Sequence, residues 1–165
     1  MPMTSARADF FDASALVKVF CNEPWSDVIR DYFYKRHTKY TTPFCFYEAM
    51  NVLKSKWRDR GQLSKYDYLD AAFGLAAWFS ASSANLPDVS FTDHATFLRA
   101  HDIATRTNLD LSDAFQIVSV KFGYYAPMMN ESTTILVTAD RGLAEVARNE
   151  GVKVWCPPAG EPVPT

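Results

Sequence analysis

The stretch "FFDASALVKVF", residues 10–20, decides the fold, because an apolar strand pattern ends at an aspartate and a helical pattern starts directly after it. The same arrangement returns in "ILVTADRGLAEVAR", residues 135–148, where apolar and β-branched residues lead to Asp140. Asp12 and Asp140 therefore both lie at predicted carboxyl ends of strands. Parallel α/β folds bind ligands at that edge of the sheet, so the two junctions predict one shared site.

Strand and helix patterns alternate along the rest of the chain. The spacing of apolar residues predicts helices over about 14–22, 25–36, 44–59, 63–82, 93–107, 110–125 and 140–151. Strands are predicted at about 8–11, 39–43, 89–92, 133–138 and 152–155. This alternation predicts an α/β fold with a central, mostly parallel sheet that helices cover on both faces.

The length and composition fit one globular domain. Of the 165 residues, 48% are hydrophobic and 15% are aromatic, which is enough for a sizeable core and too apolar for a disordered chain. We expect a single domain over residues 1–156 and a Pro-rich tail, 157–165, that is extended or mobile. A formal net charge of -2 argues against a strongly basic nucleic-acid binder, but it allows a local basic rim around an acidic site.

The cysteines and the apolar runs predict a protein of the reducing cytoplasm. Cys21, Cys45 and Cys156 are far apart and form no C-x-x-C pair, so neither a disulfide framework nor a zinc site is expected. No stretch approaches ~18 uncharged apolar residues. The sequence therefore predicts no signal peptide, no transmembrane helix and no membrane partner.

Four acidic residues have simple explanations when each is taken alone. Asp12 and Asp140 suit helix N-caps. Asp113 suits the first turn of a helix capped by Asp110, and Glu48 lies near the start of another helix. If these segments meet at one edge of the sheet, however, the carboxylates share a small volume.

Such a cluster of carboxylates needs a cation. Two unit charges ~4 Å apart repel by about 4 kcal/mol at an effective dielectric constant of ~20, so the cluster stays ionised only beside a compensating charge. Oxygen ligands favour Mg²⁺ or Mn²⁺ over zinc. In acidic pockets these ions serve mostly phosphoryl transfer or phosphodiester hydrolysis.

Four motifs resemble those of the PIN-domain ribonuclease family, and most closely the VapC-like toxins of bacterial toxin–antitoxin pairs. They are "FFDASALVKVF", "FYEAMNVL", "LSDAFQIV" and "LVTADRGLAEVARNEGVKV". Their order is the family's: Asp with a Ser two residues on, Glu on a following helix, Asp-Ala opening a late helix, and Thr-x-Asp after a strand. The motifs run from residue 9 to 155. The resemblance implies a PIN-like three-layer α/β/α sandwich.

The resemblance also implies roles for individual residues. The residues implied to be catalytic and to hold one or two Mg²⁺ or Mn²⁺ ions are Asp12, Glu48, Asp113 and Asp140. Ser14 and Thr138 match positions that support such a site through hydroxyl hydrogen bonds, and Asp110 is an extra acid at the rim. The middle segment, about 61–92, is longer than in the shortest family members, which bears on substrate selection and partner fit.

The first functional hypothesis is a metal-dependent endoribonuclease, the toxin of a toxin–antitoxin pair. Nothing in the sequence supplies a His pair or a Lys general base, so we expect water rather than the RNA 2′-hydroxyl to attack the phosphate. The products would carry 5′-phosphate and 3′-hydroxyl ends. The basic residues near the motifs that are candidates for RNA contact are Lys18, Arg106, Lys121 and Arg141, although each also fits a solvated surface charge.

Two other functions stay open at this point. A catalytically silent PIN-fold module would bind RNA or protein without cutting. A Mg²⁺-dependent phosphotransfer domain would also place an Asp at a strand end. A dehalogenase-type domain, however, needs a second Asp where Ser14 stands, and a receiver domain needs an acidic pair that "FFDAS" lacks.

Aromatic residues are concentrated in "WSDVIRDYFYKR", "YDYLDAAFGLAAWF" and "FGYY". Ordinary core packing explains them, and so does a homodimer surface with a groove for an amphipathic or extended segment of another protein. The resemblance implies such partners, namely a second copy of the chain and a cognate antitoxin.

Overall fold

The structure is a computed structural model that describes residues 7–36, 38–81, 90, 92–127 and 134–165. Its strands are β1 (Asp9–Phe11), β2 (Lys39–Tyr40), β3 (Leu136–Val137) and β4 (Val154–Trp155). Its helices are α1 (Ala13–Phe20), α2 (Ser26–Lys35), α3 (Pro43–Arg58), α4 (Lys65–Ser80), α5 (His94–Arg106), α6 (Leu111–Phe122) and α7 (Arg141–Asn149). A short 3-10 helix, Pro157–Ala159, follows β4.

Within the described residues, the strands form one parallel sheet in the order β2-β1-β3-β4. Phe10 of β1 pairs with Tyr40 on one side and with Leu136 on the other. Leu136 in turn pairs with Val154. Because all strands run in the same direction, the residues that follow β1, β2 and β3 leave the sheet at the same edge.

The helices that follow these strands start at that edge, and each begins with a side-chain cap. Asp12 caps α1, Thr42 caps α3 and Asp140 caps α7, each through an oxygen that accepts a backbone N–H. Pro43 occupies the first position of α3, where a missing N–H costs no hydrogen bond. Local cap chemistry thus places acids and hydroxyls along the carboxyl edge of the sheet.

Helices cover both faces of the sheet and give a three-layer α/β/α sandwich, so the predicted fold class is confirmed. One group of helices packs around α1, which contacts α2, α3 and α4, and a second group joins α5, α6 and α7. The core between the layers consists of fully buried apolar side chains, among them Phe11, Leu16, Ile117, Leu136 and Trp155.

The predicted helices match the observed ones to within three residues at each end. The strands are shorter than predicted, and β2 and β3 each have two residues. The strand predicted at 39–43 ends early because Thr42 caps α3 and Pro43 begins it. The strand predicted at 89–92 falls partly outside the described residues, and Ser90 and Thr92 are not in a strand. No helix in the described part of the chain is long and apolar enough to cross a membrane.

The Pro-rich tail packs against the domain and differs from the extended segment expected from its proline content. Glu161 accepts the backbone N–H of Cys156 at 2.8 Å and pairs with Arg148 of α7. The side chains of Arg7 and Arg36 donate to carbonyl groups of the last two residues at 3.1 and 3.0 Å. Long-range polar contacts therefore fix the tail, and these are invisible to a local reading of the sequence.

We expect Glu161→Ala to lower the free energy of unfolding by about 1–2 kcal/mol, because it removes the acceptor of the Cys156 N–H and the partner of Arg148. Urea denaturation measures this loss. Glu145→Ala replaces an exposed acid on α7 and should change stability by less than about 0.5 kcal/mol. Equal effects of the two substitutions would show that other contacts hold the tail.

Candidate active site

The carboxylate of Asp12, directly after β1, is buried and held by hydrogen bonds on both oxygens. It is 4% exposed. Its Oδ1 accepts the backbone N–H of Ala15 at 2.8 Å and the hydroxyl of Ser14 at 2.8 Å. Its Oδ2 accepts the hydroxyl of Thr138 at 2.5 Å. These contacts fix the orientation of the carboxylate.

Ser14 and Thr138 join the two strand–helix junctions that the sequence singled out. Their hydroxyl oxygens lie 3.2 Å apart. Ser14 Oγ accepts the backbone N–H of Ala139 at 2.8 Å, and Thr138 Oγ1 accepts that of Asp140 at 3.0 Å. Each hydroxyl therefore binds Asp12 and also holds the backbone after β3, which is the supporting position expected for both residues.

Asp140 sits at the start of α7, where its Oδ1 accepts the backbone N–H of Leu143 at 3.0 Å. Gly142 leaves room for this arrangement, because a Cβ at that position would stand 3.3 Å from Asp140 Oδ1. Gly142 is thus a site-shaping residue that the sequence reasoning missed. Its signal was the "DRG" that opens the last helical pattern.

Glu48 and Asp113 come from α3 and α6, on segments far apart in sequence. The N–H of Asp113 donates to Asp110 Oδ1 at 2.9 Å, so Asp110 is the cap of α6. The buried thiol of Cys45 donates to Gln116 Oε1 at 2.7 Å. Since Cys45 and Gln116 each lie one turn from an acid, this contact links the two helices close to the site.

The pKa of Asp113 reflects both its burial and the charges of the neighbouring acids. Burial raises its pKa, and the negative charges of Asp110, Asp140, Glu48 and Asp12 raise it further, to about 7. The acids expected from the sequence, with Asp110, are therefore close enough to interact electrostatically.

The other carboxylates differ in how far hydrogen bonds lower the pKa that burial raises. Burial raises the pKa of Asp12 to about 6, although the hydrogen bonds that it accepts lower it. The pKa of Glu48 is raised by burial and by the charges of Asp110 and Asp140. The pKa of Asp110 is lowered, because it accepts the N–H of Asp113.

The acids are neighbours without forming a ligand cage. Among the residues that the structure describes, no three His, Cys, Asp or Glu side chains are grouped closely enough to hold one metal ion. Electrostatic coupling reaches well beyond the coordination distances of roughly 2.0–2.6 Å that Mg²⁺ and Ca²⁺ require. The acids can therefore shift one another's pKa values while they stand too far apart to coordinate one ion.

The basic residues expected near RNA are all engaged within the protein. Lys18 is ion-paired with a neighbouring Glu at 2.7 Å, and its side chain is 14% exposed. Arg106 and Lys121 share the carboxylate of Glu150 at 2.9 and 3.3 Å. Arg141 donates to a backbone carbonyl of the C-terminal tail. Their contact with RNA stays a prediction, and Lys18 is the least exposed of them.

Asp9, an acid three residues before Asp12, does not lie with the other acids. It lies at the amino end of β1, where its carboxylate pairs with Arg7 at 2.9 Å and accepts the Tyr32 hydroxyl at 3.2 Å. The strand separates it from Asp12, so only one of the two acids reaches the carboxyl edge.

Two clefts lie near these elements. One of about 650 Å³ follows α3 and includes Glu48 and Ser112, next to Asp113. A larger one of about 790 Å³ is lined by residues of α1, α2 and α4 and contains none of the site acids. Cleft size alone therefore does not identify the site, whereas the position of the acids does.

Known proteins share this architecture. The family model for the PIN domain matches residues 10–149. The crystal structure of PAE2754 from Pyrobaculum aerophilum is similar with a TM-score of 0.54 and 22% sequence identity, over 87% of this chain and 87% of that chain. At this identity the likeness concerns the fold alone. No curated protein matches the sequence.

We expect Asp113→Asn to stabilise the metal-free protein, because an acid with a folded pKa of about 7 and an ordinary pKa of 3.8 costs stability once ionised. The cost is absent below pH 3.8 and complete above about pH 7, since the folded state holds the proton longer. With allowance for solvent screening, the gain is on the order of 1 kcal/mol, or roughly 2–4 °C in Tm.

Thermal unfolding in EDTA, between acidic and neutral pH, measures this gain. Glu145→Gln removes an exposed carboxylate on α7 and is the control, with no expected change in Tm. A gain that does not grow as the pH rises would contradict the repulsion between the acids.

Proposed function

The chain belongs to the PIN-domain family, and from that premise we propose that it is a metal-dependent endoribonuclease and the toxin of a toxin–antitoxin pair. PIN domains are generally nucleases. The observation that carries the proposal is the convergence of carboxylates around Asp113, where burial and then the charges of four other acids raise its pKa to about 7. Carboxylates held together against their repulsion are typical of a functional site.

The donor types of these residues, though not their spacing in the described structure, fit a hard divalent cation. The donor atoms are carboxylate oxygens with supporting hydroxyls, which suit Mg²⁺ or Mn²⁺. Burial is the main cause of the raised pKa values of Asp12, Glu48 and Asp113, and the neighbouring charges that raise them further are negative. The residues proposed to hold the ion are Asp12, Glu48, Asp113 and Asp140. When bound, such an ion supplies the positive charge that activates water and polarises a scissile phosphate.

The chain's own residues differ in what they bring to this site. Asp12 is pre-oriented, because Ser14, Thr138 and the start of α1 bind both of its oxygens. The carboxylates of Glu48 and Asp113 accept no hydrogen bond from a described residue, so their oxygens are open to a ligand. The Asp12 carboxylate is held in place, whereas those of Glu48 and Asp113 accept no hydrogen bond from a described residue. This combination suits a site that binds its ion and substrate together.

Attack by water is the mechanism that these residues support. Described histidines, His94 and His101, lie on α5, and neither is among the groups that act most on the acids. Within the described residues, therefore, no histidine is a candidate base for the RNA 2′-hydroxyl beside the carboxylates. The proposed products carry 5′-phosphate and 3′-hydroxyl ends.

We expect the purified protein to cut RNA with Mg²⁺ or Mn²⁺ and to lose this activity in EDTA. Asp12→Asn combined with Asp113→Asn should reduce the rate at least about 100-fold, because it removes two of the charges that hold the ion. Gel analysis of total RNA measures cutting. Glu145→Gln, an exposed acid outside the pocket, should keep full activity.

Other readouts separate the mechanism from its alternatives. Mg²⁺ should raise the Tm of the unchanged protein more than that of the double variant. Products with 2′,3′-cyclic phosphate ends would rule out attack by water. RNA binding without cutting, unaffected by the two amide substitutions, would instead favour the silent binding module.

We also propose an antitoxin protein and a second copy of the chain as partners. The cleft lined by α1, α2 and α4, of about 790 Å³, supports the first. Tyr34 and Phe73 at this cleft are 68% and 69% exposed. Exposed rings beside a groove are suited to an amphipathic segment of another chain.

We expect expression of the chain alone to arrest bacterial growth, and co-expression of its proposed antitoxin to restore it. Phe73→Glu should leave the arrest intact and prevent the rescue, because a charge in the cleft disfavours an apolar segment. Tyr66→Glu changes an exposed ring that does not line this cleft and should leave the rescue unchanged. Rescue of both variants would place the partner elsewhere.

A further inference from the structure

The thiol of Cys45 and the amide of Gln116 form a buried polar contact between the two groups of helices. α3 packs with α1 and α4, whereas α6 packs with α5 and α7. The thiol donates to Gln116 Oε1 at 2.7 Å, and the two residues are 0% and 1% exposed. One hydrogen bond, shielded from water, therefore joins a helix of the first group to a helix of the second.

The Cys45 end of this contact is anchored at the carboxyl edge of the sheet. Its backbone N–H donates to the hydroxyl of Thr42, the cap of α3, at 3.1 Å. The neighbouring Thr41 hydroxyl donates at 2.7 Å to the carbonyl of Phe11, which directly precedes Asp12. Burial raises the pKa of the Cys45 thiol to about 12, so the thiol keeps its proton and remains a donor at neutral pH. The start of α3 thus ties α6 to the end of β1.

Each partner of the contact lies three residues from an acid of the candidate site. Glu48 follows Cys45 on α3, and Asp113 precedes Gln116 on α6. Residues three apart lie on the same side of a helix, about 5–6 Å from each other. A movement of α3 against α6 is therefore passed on to Glu48 and Asp113, whereas the ligand distances of a metal site tolerate changes of only about 0.2 Å.

The charges of these acids work against this arrangement. Besides burial, the charges that raise the pKa of Asp113 include that of Glu48. Like charges on two helices favour a larger separation, so a contact between α3 and α6 has to resist them. The thiol–amide hydrogen bond lies one helical turn from each acid and is placed to do so.

Gln116 uses only part of its hydrogen-bonding capacity at this position. Its Nε2 has no partner among the described residues, although the side chain is buried. An unmet buried donor costs stability, and an apolar side chain of the same size would avoid that cost. Polar groups kept at the expense of stability are typical of functional sites. Core packing by itself therefore does not account for a glutamine here.

We propose that Cys45 and Gln116 are positioning residues, which hold α3 against α6 and so keep Glu48 and Asp113 close together despite their repulsion. This rests on the proposed metal-dependent function and adds two residues that contact neither ion nor substrate. The acids stand too far apart in the described structure to coordinate one ion. Loosening the link between the helices would therefore increase the distance that ion binding has to close.

Binding of Mn²⁺ in the absence of RNA, measured by EPR, tests this proposal. Gln116→Met keeps the approximate size of the side chain and removes the amide. We expect it to weaken Mn²⁺ binding about tenfold or more, as is typical of residues that orient metal ligands. The Tm in EDTA should stay the same or rise, because the unmet donor is gone. A merely structural role would instead lower the Tm.

Variants of the thiol and a matched control complete the set. Cys45→Ala should weaken Mn²⁺ binding by a similar factor, and combining it with Gln116→Met should weaken binding no further, because both remove one interaction. Cys45→Ser should keep the affinity, since its hydroxyl can donate to the same oxygen. Ser119→Ala removes another buried α6 side chain whose polar atom has no described partner, and it should leave the affinity unchanged.

A second measurement needs no metal. In EDTA at neutral pH, Asp113→Asn is expected to raise the Tm of the otherwise unchanged protein, because it relieves the repulsion among the acids. When Gln116→Met is already present, the helices can relax and this gain in Tm should fall by at least half. An equal or larger gain would show that the contact does not hold the acids together and would overturn the proposal.

The results separate this proposal from the nuclease function. Equal Mn²⁺ affinity of Gln116→Met and the unchanged protein overturns the positioning role, and so does an equal loss of affinity in Ser119→Ala. Absence of Mn²⁺ binding by the unchanged protein refutes the metal-dependent nuclease, and the measurement in EDTA then decides the positioning role by itself. Mn²⁺ binding that weakens in Gln116→Met, without cutting of RNA by the unchanged protein, refutes the nuclease and supports the positioning role.

Discussion

The hydrogen bond from the Thr138 hydroxyl to Asp12 Oδ2, 2.5 Å long, is the contact on which the carboxyl edge of the sheet depends. It joins the residue after β3 to the residue after β1, and Ser14 completes the connection by binding both Asp12 and the N–H of Ala139. A buried carboxylate needs such donors, since burial without them costs several kcal/mol. The same donors also fix the path of the chain into Asp140. One network therefore satisfies a buried charge and aligns two helix starts.

Helix capping and site formation are compatible in this protein. Asp12 and Asp140 cap α1 and α7, while Asp110 caps α6 and holds the N–H of Asp113. The partial positive charge at a helix N-terminus offsets part of the repulsion among acids. The offset is incomplete, because the pKa of Asp113 still rises to about 7. Burial is the largest cause of that rise, and the charges of the neighbouring acids add to it.

The basic residues near the motifs differ from Arg60 in the ion pairs that they form. Arg106 and Lys121 are close to the motifs in sequence but are paired with Glu150. Arg60 belongs to no motif, yet the end of α3 places it in the cleft that contains Glu48. Sequence proximity to a motif is therefore a poor guide to which basic residues line a cleft beside the acids. Ion pairs between distant elements decide it.

The sequence by itself determined the helices and several of their caps, and it predicted the acids of the candidate site. Apolar periodicity and cap chemistry are local, so Ser64 and Asp110 mark the starts of α4 and α6 without knowledge of the fold. The recurring strand-to-Asp junctions likewise pointed to one shared edge. Strand lengths were less accurate, because ladder pairing and not apolarity ends a strand.

Only the tertiary structure decided the strand order, the coupling among the acids, the packing of the tail and the position of Arg60. Each depends on atoms from segments far apart in the chain, such as Thr138 against Asp12 and Cys45 against Gln116. The energy of such a contact depends on distance and burial, which a linear sequence does not specify. Local chemistry therefore predicts the residues of the candidate site. Long-range packing sets their pKa values and their hydrogen-bond partners.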